Sequence, residues 1–409
     1  MRSIKKLLLT SHLGLVACLS FGQGIQKTML KLPDTGQTGD YTTTFGEDSD
    51  YNINVPFFIK NNNGTVIDTI TGLMWQQSDG GEMTVENARI YADTLTLAGY
   101  TDWRLPTGHE AYTILNHQKN NPAIDAAFTT TAAEYWWTAN IQSNDATKIW
   151  VTNAGGGIGN HLKTETISAG GTKKIHVRAV RNVKTPTLIA SQFTDKGDGT
   201  IKDNLTGLIW QKVPNPDTLT WENALTYAEN LTLGGFSDWR LPNIKELQSI
   251  SDDKLVNPSV STTFFPAIGI KKYWSSTSLP NQTTRAWYLN TQFGITTYDL
   301  KTVRLAVLCV RGSSSNTTAI KETDNAVAFA KVYPNPSSAQ QIQFEMDDNT
   351  KDLTVQLIDI QGRVVLNQQF KAHQYEKTLS ISPPQYNEGF YWLSLEKNGE
   401  KMVKKVVLF

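Results

Sequence analysis

Apolar and polar residues recur in the same order in two stretches of the chain. Both stretches contain the pentapeptide Asp-Trp-Arg-Leu-Pro, at residues 102–106 and 238–242. A residue before proline favours extended backbone, which predicts a short strand ending at the proline in each copy. Residues two apart share a face of a strand. We therefore expect Trp and Leu to fill a core, and Asp and Arg to pair as carboxylate and guanidinium on the opposite face.

Two helices are predicted in each stretch. The pairs Thr107/Glu110 and Asn243/Glu246, which follow the prolines, have the spacing of a capping box. Upstream of each pentapeptide, apolar residues at i, i+3, i+4 and i+7 predict an earlier amphipathic helix. These apolar positions are Ala88, Tyr91, Ala92 and Leu95 in the first stretch and Ala224, Tyr227, Ala228 and Leu231 in the second.

The repeated unit has the size of a domain, because matching motifs lie about 135 residues apart. That spacing is too long for a solenoid unit and is typical of a globular domain. We predict two α+β domains, at residues 58–182 and 193–312, joined by a linker at 183–192 and each closed around shared tryptophans. The side chains expected to be structural are Trp75, Trp103, Arg104, Trp136 and Trp150 in the first repeat and Trp210, Trp239, Arg240, Trp274 and Trp287 in the second.

The remaining segments differ in composition from the repeats. Residues 23–57 are polar and are predicted to be an irregular lead-in that packs on the first repeat. A segment that begins with Ser, Asn and Thr follows the second repeat and is predicted to be a linker at 313–330. In residues 331–409, apolar residues alternate with mainly polar ones, which predicts an all-β sandwich close to the immunoglobulin type.

The N-terminus has the layout of a cleaved secretory signal peptide, predicted to span residues 1–22. Basic residues precede an apolar stretch from Leu7 to Leu19, and small residues end it. The four residues ending at Cys18 also resemble a lipobox, whose cysteine is lipidated. Cys18 therefore has two interpretations, of which the ordinary signal peptide is preferred.

Charge and cysteine content limit the expected partners. Without the signal peptide the chain has 35 basic and 38 acidic residues, so neither nucleic acid nor an anionic membrane is an expected partner. No stretch of the mature chain is apolar for long enough to predict a transmembrane helix. Cys309 is the only cysteine left, so no internal disulfide forms, and its apolar neighbours predict a buried, unreactive thiol.

Both repeats resemble the family once called domain of unknown function 1566, now named after the C-terminal domain of a Legionella collagen-like adhesin. The resemblance covers residues 32–182 and 193–312, and it rests on the motifs TGLxWQ, DWRLP, YWW or YWS, and a closing VRAVR or VLCVR strand. It implies a C-type-lectin-like fold, also found in formylglycine-generating enzymes. Those enzymes use paired cysteines, which this chain lacks, so the resemblance implies the fold without oxidation chemistry. The Legionella relative implies binding of sulfated polysaccharide.

The C-terminal stretch resembles the type A sorting domain of the type IX secretion system of Bacteroidetes. The resemblance implies Sec export, translocation across the outer membrane by the type IX machinery through residues 331–409, and release or attachment at the surface. The matching residues are Tyr333-Pro334-Asn335-Pro336, Asp359-Ile360-Gln361-Gly362-Arg363-Val364, Gly389-Phe390-Tyr391 and Lys404-Lys405-Val406-Val407-Leu408.

Few residues carry recognisable chemistry. No metalloprotease, nucleophile-elbow or phosphate-loop motif occurs. Asp195, Asp198 and Asp203 form a calcium candidate, but a turn is the preferred interpretation because further oxygen ligands are missing, and no cofactor is predicted. Trp137 has no paired tryptophan, because Ser275 replaces it in the second repeat. It is expected to be exposed, because its neighbour Trp136 would face the opposite side of a strand.

We expect a secreted or cell-surface, non-enzymatic binding protein of adhesin or lectin-like type, with a carbohydrate or another surface component as ligand. The ligand face is expected between the second helix and the last strand of each repeat, at residues 116–175 and 252–303. Two alternatives stay open: a hydrolase of extracellular polymers, and a structural surface-layer or gliding-associated protein. The candidate ligand-binding residues are Trp137, Asn153, His161, Arg285, Tyr288 and Asn290.

Overall fold

The structure is a computed structural model. The predicted signal peptide, with Cys18, and residues 313–329 of the predicted linker lie outside the described residues. The described residues are 24–51, 53–129, 134–165, 175–312, 330–333, 342–359, 364–382, 389–397 and 400–408.

The first repeat and its lead-in are built from short strands and two short helices. The elements in chain order are β1 (Ile25–Lys27), a 3-10 helix (Asp48–Asp50), β2 (Phe58–Lys60), β3 (Thr65–Asp68), β4 (Leu73–Gln76), α1 (Val85–Thr94), α2 (Gly108–Thr113), β5 (Tyr135–Ile141), β6 (Lys148–Asn153), β7 (Ile158–Leu162) and β8 (Val180–Asn182). One antiparallel sheet has the order β2-β3-β4-β8, and a second has the order β5-β6-β7. Helix α2 packs against β5 and β6.

The second repeat has the same arrangement. The elements after β8 are β9 (Thr187–Ile189), β10 (Phe193–Asp195), β11 (Thr200–Asp203), β12 (Ile209–Gln211), α3 (Trp221–Glu229), α4 (Ile244–Ser249), β13 (Lys272–Ser278), β14 (Arg285–Asn290), β15 (Ile295–Leu300) and β16 (Val310–Arg311). The sheets have the orders β10-β11-β12-β16 and β13-β14-β15. Between the repeats, β9 pairs antiparallel with β1 of the lead-in.

The C-terminal segment consists of strands in its described part. These are β17 (Ala330–Tyr333), β18 (Ile342–Met346), β19 (Leu353–Asp359), β20 (Val364–Phe370), β21 (Thr378–Ile381), β22 (Gly389–Lys397) and β23 (Glu400–Leu408). Two sheets have the orders β17-β18-β21 and β20-β19-β22-β23. Alternate residues of β18 and β19, such as Phe344 and Val355, are buried in a shared core because successive side chains of a strand face opposite sides.

The predicted fold class of the repeats, α+β with two tandem C-type-lectin-like domains, is wrong. The C-terminal segment, predicted to be an immunoglobulin-like sandwich, forms two sheets around one core in its described part. The described residues form a β-rich fold of several small sheets. The four α-helices are only 10, 6, 9 and 6 residues long. Helices do occur where apolar residues have helical spacing, but each helix ends after one to three turns, and strands outnumber helices in the described residues.

The two pentapeptides each form two ion pairs with other elements. Asp102 binds Arg181 of β8, with 2.6 Å from Nε to Oδ1, and Arg104 binds Glu110 of α2 at 2.7 Å. The predicted pairing of Asp with Arg within the pentapeptide is therefore wrong. The reason is that Glu110 is fully buried and its carboxylate requires a cation. The same pairs in the second repeat are Asp238–Arg311 and Arg240–Glu246, at 2.7 and 2.6 Å.

Both predicted capping boxes are confirmed. Thr107 accepts a hydrogen bond from the backbone of Glu110, whose side chain accepts one from the backbone of Thr107, and Asn243 and Glu246 do the same. The tryptophans expected to be structural are also buried, each at most 4% exposed. They are Trp75, Trp103, Trp136, Trp150, Trp210, Trp239, Trp274 and Trp287. Of these, Trp150 and Trp287 lie at the interface between the repeats rather than in the core of one repeat.

Trp137 is fully buried, so the prediction that it is exposed is wrong. Its Nε1 donates to the Met83 carbonyl at 2.8 Å, and Trp274 Nε1 donates to the Leu219 carbonyl at 3.0 Å. Met83 and Leu219 both precede the N-cap residue of the first helix in their repeat. Trp137, rather than Trp136, is thus the counterpart of Trp274. The alignment was shifted by one residue, and in a strand such a shift moves a side chain to the other face.

The two repeats pack through equivalent surfaces. Helix α2 lies against α4, and β7 lies against β15. Ile158 N donates to Thr296 Oγ1 at 3.0 Å, and the two residues hold matching register positions in β7 and β15. An interface in which the same patch of both partners meets has two-fold symmetry, so an approximate two-fold axis relates the repeats. The buried residues of this interface cluster are Tyr112, Leu115, Trp150, Ile158, Ile244, Leu279 and Trp287.

A buried lysine and the lead-in add polar contacts to this interface. Lys245 of α4 is 1% exposed, and its Nζ donates to the carbonyls of Thr113 at 2.7 Å and Asp34 at 2.8 Å. Gln37 of the lead-in bonds the Ser278 backbone twice, through Oε1 at 2.9 Å and Nε2 at 2.8 Å. The lead-in therefore contacts the second repeat as well as the first, on which it was predicted to pack.

Candidate binding site

A cleft of about 420 Å³ lies between the repeats. One side is the loop that joins β6 to β7 in the first repeat, and the other side is strand β15 with the neighbouring Trp287. The lining residues are Asn120, Asn121, Glu134, Tyr135, Asn153, Ala154, Gly155, Gly157, Trp287, Thr296, Thr297 and Tyr298.

The loop from Asn153 to Gly157 owes its shape to one carboxamide and three glycines. Asn153 Oδ1 accepts hydrogen bonds from Gly155 N at 2.9 Å and Gly157 N at 3.1 Å. Gly156 has φ of +100°, and a Cβ there would lie 3.3 Å from Trp287 Cζ2. A side chain is thus disfavoured both by the backbone and by the second repeat. The absence of side chains lets the loop approach Trp287.

Aromatic rings pack edge to face at the side of the cleft that the second repeat forms. Trp287 is 3% exposed, and its ring meets Tyr298 edge to face with centroids 5.4 Å apart. His117 packs edge to face on Trp287 at 5.4 Å, and its Nε2 lies 3.0 Å from the Gly156 carbonyl. Burial lowers the pKa of His117 to about 3. The imidazole is therefore neutral at physiological pH and bonds the glycine loop to the cleft floor.

The charge of the lining is low. Glu134 is the one carboxylate among the described lining residues, which include no Lys, Arg or His. Burial raises the pKa of Tyr135, and the nearby Glu165 and Glu134 add to this, so the phenol stays protonated at neutral pH. The other polar groups are carboxamides and hydroxyls. The cleft therefore offers hydrogen bonds and ring contacts with little fixed charge.

The corresponding loop of the second repeat is built differently. Asn290 Oδ1 accepts from Gln292 N at 3.0 Å, as Asn153 does from Gly155. However, this loop is one residue longer and carries Phe293 and Ile295, which pack against the interface cluster. Apolar side chains thus occupy the position that corresponds to the glycine loop, and the interface is asymmetric there.

The structure brings one of the six predicted ligand residues, Asn153, to the cleft wall. His161 does not line the cleft but lies next to it, because its ring packs on the lining residue Tyr135 with ring centroids 4.8 Å apart. Arg285 lies on the other side, over the Tyr298 ring at 5.7 Å.

The other predicted ligand residues are placed elsewhere. Trp137 and Tyr288 are buried in the repeat cores, and Asn290 supports the second loop rather than the cleft. Sequence reasoning did not single out most lining residues, although all of them fall within the predicted stretches 116–175 and 252–303. The sequence did contain one signal for this site, the run of glycines at 155–157, because residues without side chains let another surface approach the backbone closely. The lining residues not singled out are Asn120, Asn121, Glu134, Tyr135, Ala154, Gly155, Gly157, Thr296, Thr297 and Tyr298.

The calcium candidate consists of carboxylates that are bound to local partners. Asp195 binds Lys212 Nζ at 2.6 Å, and Asp198 accepts from Thr200. Asp203 is buried and accepts from Leu205 N. Within the described residues no group of three or more His, Cys, Asp or Glu side chains is arranged to hold a metal ion.

Two further predictions concern single features. Cys309 is buried, and burial raises the pKa of its thiol, which keeps it protonated and unreactive. No helix in the described part of the chain has both the length and the apolarity needed to span a membrane.

Solved structures show only weak likeness to the chain. An immunoglobulin-like β-sandwich protein of the DUF3244 family from Bacteroides vulgatus is 15% identical with a TM-score of 0.17, covering 19% of this chain and 82% of that one. Dimeric latent PorU from Porphyromonas gingivalis is 11% identical with a TM-score of 0.15, covering 64% and 26%. The BSP domain of a biofilm associated protein is 10% identical with a TM-score of 0.16, covering 86% and 65%. Scores this low assign neither fold nor function.

Family models give a clear result, whereas no curated protein matches the chain. The Lcl C-terminal domain matches residues 64–181 and 199–311, which together make up more than half of the chain. The secretion system C-terminal sorting domain matches residues 331–408. A type IX sorting domain of this kind interacts with the secretion machinery and directs export to the cell surface or the extracellular space. The chain therefore belongs to the Lcl C-terminal domain family, of which it carries two copies followed by a secretion sorting domain.

Proposed function

We propose that this is an exported, non-enzymatic binding protein that holds its ligand in the cleft between the repeats. The supporting observation is that both repeats contribute to one cleft of about 420 Å³, a volume typical of ligand sites. Because both repeats contribute residues to the same cleft, the duplication of the domain builds one binding site rather than two separate ones. Export to the surface favours a ligand found outside the cell.

The ionisable groups of the cleft support binding without turnover. Glycoside hydrolysis uses two carboxyl groups about 5–10 Å apart. Among the described lining residues Glu134 is the only carboxylate. The remaining polar groups orient a ligand through hydrogen bonds but supply no acid–base pair.

The test uses the purified full chain and insoluble cell-wall and matrix polysaccharides. Retained protein and released reducing ends are measured on the same samples. We expect retention without release. Release of reducing ends without retention would overturn the proposal in favour of a hydrolase. Ordered self-assembly of the chain without retention on any polymer would overturn it in favour of a structural surface-layer protein.

A further inference from the structure

The chemistry of the cleft between the repeats indicates what kind of ligand it accepts. We propose that it binds an uncharged oligosaccharide and rejects sulfated or carboxylated polymers. The inference rests on the proposed binding function of this cleft and specifies its ligand class. It is supported by four features: a fixed carboxamide, neighbouring polar groups that both donate and accept hydrogen bonds, aromatic rings from both repeats, and the sign of the fixed charge.

Asn153 presents a fixed hydrogen-bond donor. Its Oδ1 must be the atom that faces Gly155 N and Gly157 N, at 2.9 and 3.1 Å, because both of these groups are donors. The Nδ2 group is thereby oriented, and in the described structure it makes no hydrogen bond of its own. A donor held in place before binding loses little entropy when a ligand arrives.

The neighbouring polar groups match a polyol. Asn120 and Asn121 provide further carboxamides, and Thr297 provides a hydroxyl. Each of these groups both donates and accepts hydrogen bonds, as does each hydroxyl of a sugar. A ligand with many hydroxyls therefore satisfies this lining, whereas an apolar ligand leaves its polar groups unpaired.

Aromatic rings from both repeats supply apolar contact. Tyr298 of β15 is 37% exposed and rests on Trp287, while Tyr135 comes from β5 of the first repeat. Tyrosine combines an apolar ring with a hydroxyl, which suits a ligand that is apolar on one face and polar at its edge. A pyranose ring has this character.

The fixed charge disfavours acidic polymers. Binding of sulfate or carboxylate groups needs cationic donors such as Arg or Lys, and no described lining residue is cationic. Arg285 lies beside the cleft, where its guanidinium packs over the Tyr298 ring at 5.7 Å. Glu134 places like charge beside an acidic ligand, which lowers affinity for it. The cleft thus differs from a site for the sulfated polysaccharide that the family resemblance implied.

Isothermal titration calorimetry of the full chain tests the inference. The probes are cellotetraose, xylotetraose and mannotetraose, with a heparin tetrasaccharide as the sulfated comparison. Asn153→Asp keeps the acceptor for the two glycines and removes the Nδ2 donor. Asn290→Asp is the matched control, because Asn290 has the same loop-supporting role at 3.0 Å from Gln292 N but does not line the cleft.

We expect at least one neutral tetrasaccharide to bind with one site per chain. Asn153→Asp should weaken its binding at least about 10-fold, and Asn290→Asp less than about 2-fold. Tighter binding of heparin than of every neutral probe, or equal loss in both variants, would overturn the inference. Retention of the chain on a polymer with no affinity for any neutral probe would also overturn it, while leaving the binding function intact.

Discussion

The two equivalent Arg–Glu ion pairs differ in the solvent exposure of their arginine. Arg240 and Glu246 are 4% and 5% exposed, and the guanidinium binds both carboxylate oxygens at 2.6 Å. Arg104 makes the same contact with Glu110 but is 33% exposed, so water can partly replace it. The Glu246 carboxylate therefore depends more on Arg240 than the Glu110 carboxylate depends on Arg104.

We predict that Arg240→Ala lowers the free energy of unfolding by about 3–5 kcal/mol, because it leaves the Glu246 carboxylate buried and uncompensated. Arg104→Ala should cost less, since solvent reaches its site. Urea unfolding of the full chain, followed by tryptophan fluorescence, measures both. Equal losses, or a larger loss for Arg104→Ala, would contradict this ranking.

Asp48 is predicted to make stability depend on pH. Burial raises the pKa of its carboxyl from 3.8 to about 6, against hydrogen bonds from Thr277 and Thr35 that lower it. Between about pH 4 and 6 the folded protein thus keeps a proton that the unfolded chain has released. This contribution to stability is present below about pH 4 and is lost as the pH rises through 6.

Asp48→Asn removes that titration. From pH 4 to pH 7 the unfolding free energy of the variant should rise relative to the wild type by roughly 2–3 kcal/mol. Asp34 also contributes in the same direction, because the Asp48 charge helps to raise the pKa of Asp34 and the variant lacks that charge. Groups whose pKa does not depend on Asp48, such as His117, largely cancel in the difference. Urea unfolding at several pH values measures it, and a difference that does not vary with pH would refute the prediction.

Local chemistry at single residues was predictable, whereas long-range contacts were not. The capping boxes at Thr107 and Asn243 depend on residues three apart, so their spacing reveals them. The partners of Lys245 are Thr113 and Asp34, which lie in other segments. Nothing local to Lys245 indicates that its ammonium is buried, because that depends on how the repeats pack.

The helices lie where they were predicted, but the strand predicted at each pentapeptide is only a single β-bridge, formed by Arg104 and by Arg240, and the register of one later strand was wrong. Two adjacent tryptophans, Trp136 and Trp137, permit two alignments with Trp274, and the wrong one was preferred. The spacing to the next paired tryptophan was the available signal. It is 13 residues both from Trp137 to Trp150 and from Trp274 to Trp287. Because one residue of slip reverses every side chain of a strand, this single error assigned Trp137 to the surface.

The glycine loop is predicted to be sensitive to substitution at one position. Gly156→Ala adds a methyl group 3.3 Å from Trp287 at φ +100°, and it should cost about 1–3 kcal/mol of unfolding free energy. Gly159→Ala in β7 is the control, because a Cβ there meets nothing within 4 Å, and it should change stability by less than about 0.5 kcal/mol. Thermal unfolding of both variants measures this, and equal effects would contradict the close contact.

The arrangement of the repeats within the molecule was the least predictable feature. Each repeat was interpreted as a separate domain, since its motifs and tryptophans suffice for a core of its own. The contact of α2 with α4 and of β7 with β15 joins two surfaces that are far apart in sequence. The cleft arises from that contact, so neither repeat alone contains it. The fold is also β-rich because its helices are short. The spacing of apolar residues locates a helix but does not reveal how short it is.

Hydrogen exchange of the full chain tests most directly whether both repeats build one binding site. Exchange is measured with and without a neutral tetrasaccharide that binds the chain. Because one ligand contacts both repeats, exchange should slow together in the loop at 153–157 and in β15 at Ile295–Leu300. The control segment is the second loop at 290–294, which should be little affected. Protection confined to one repeat, or found only outside the cleft, would contradict a binding site built by both.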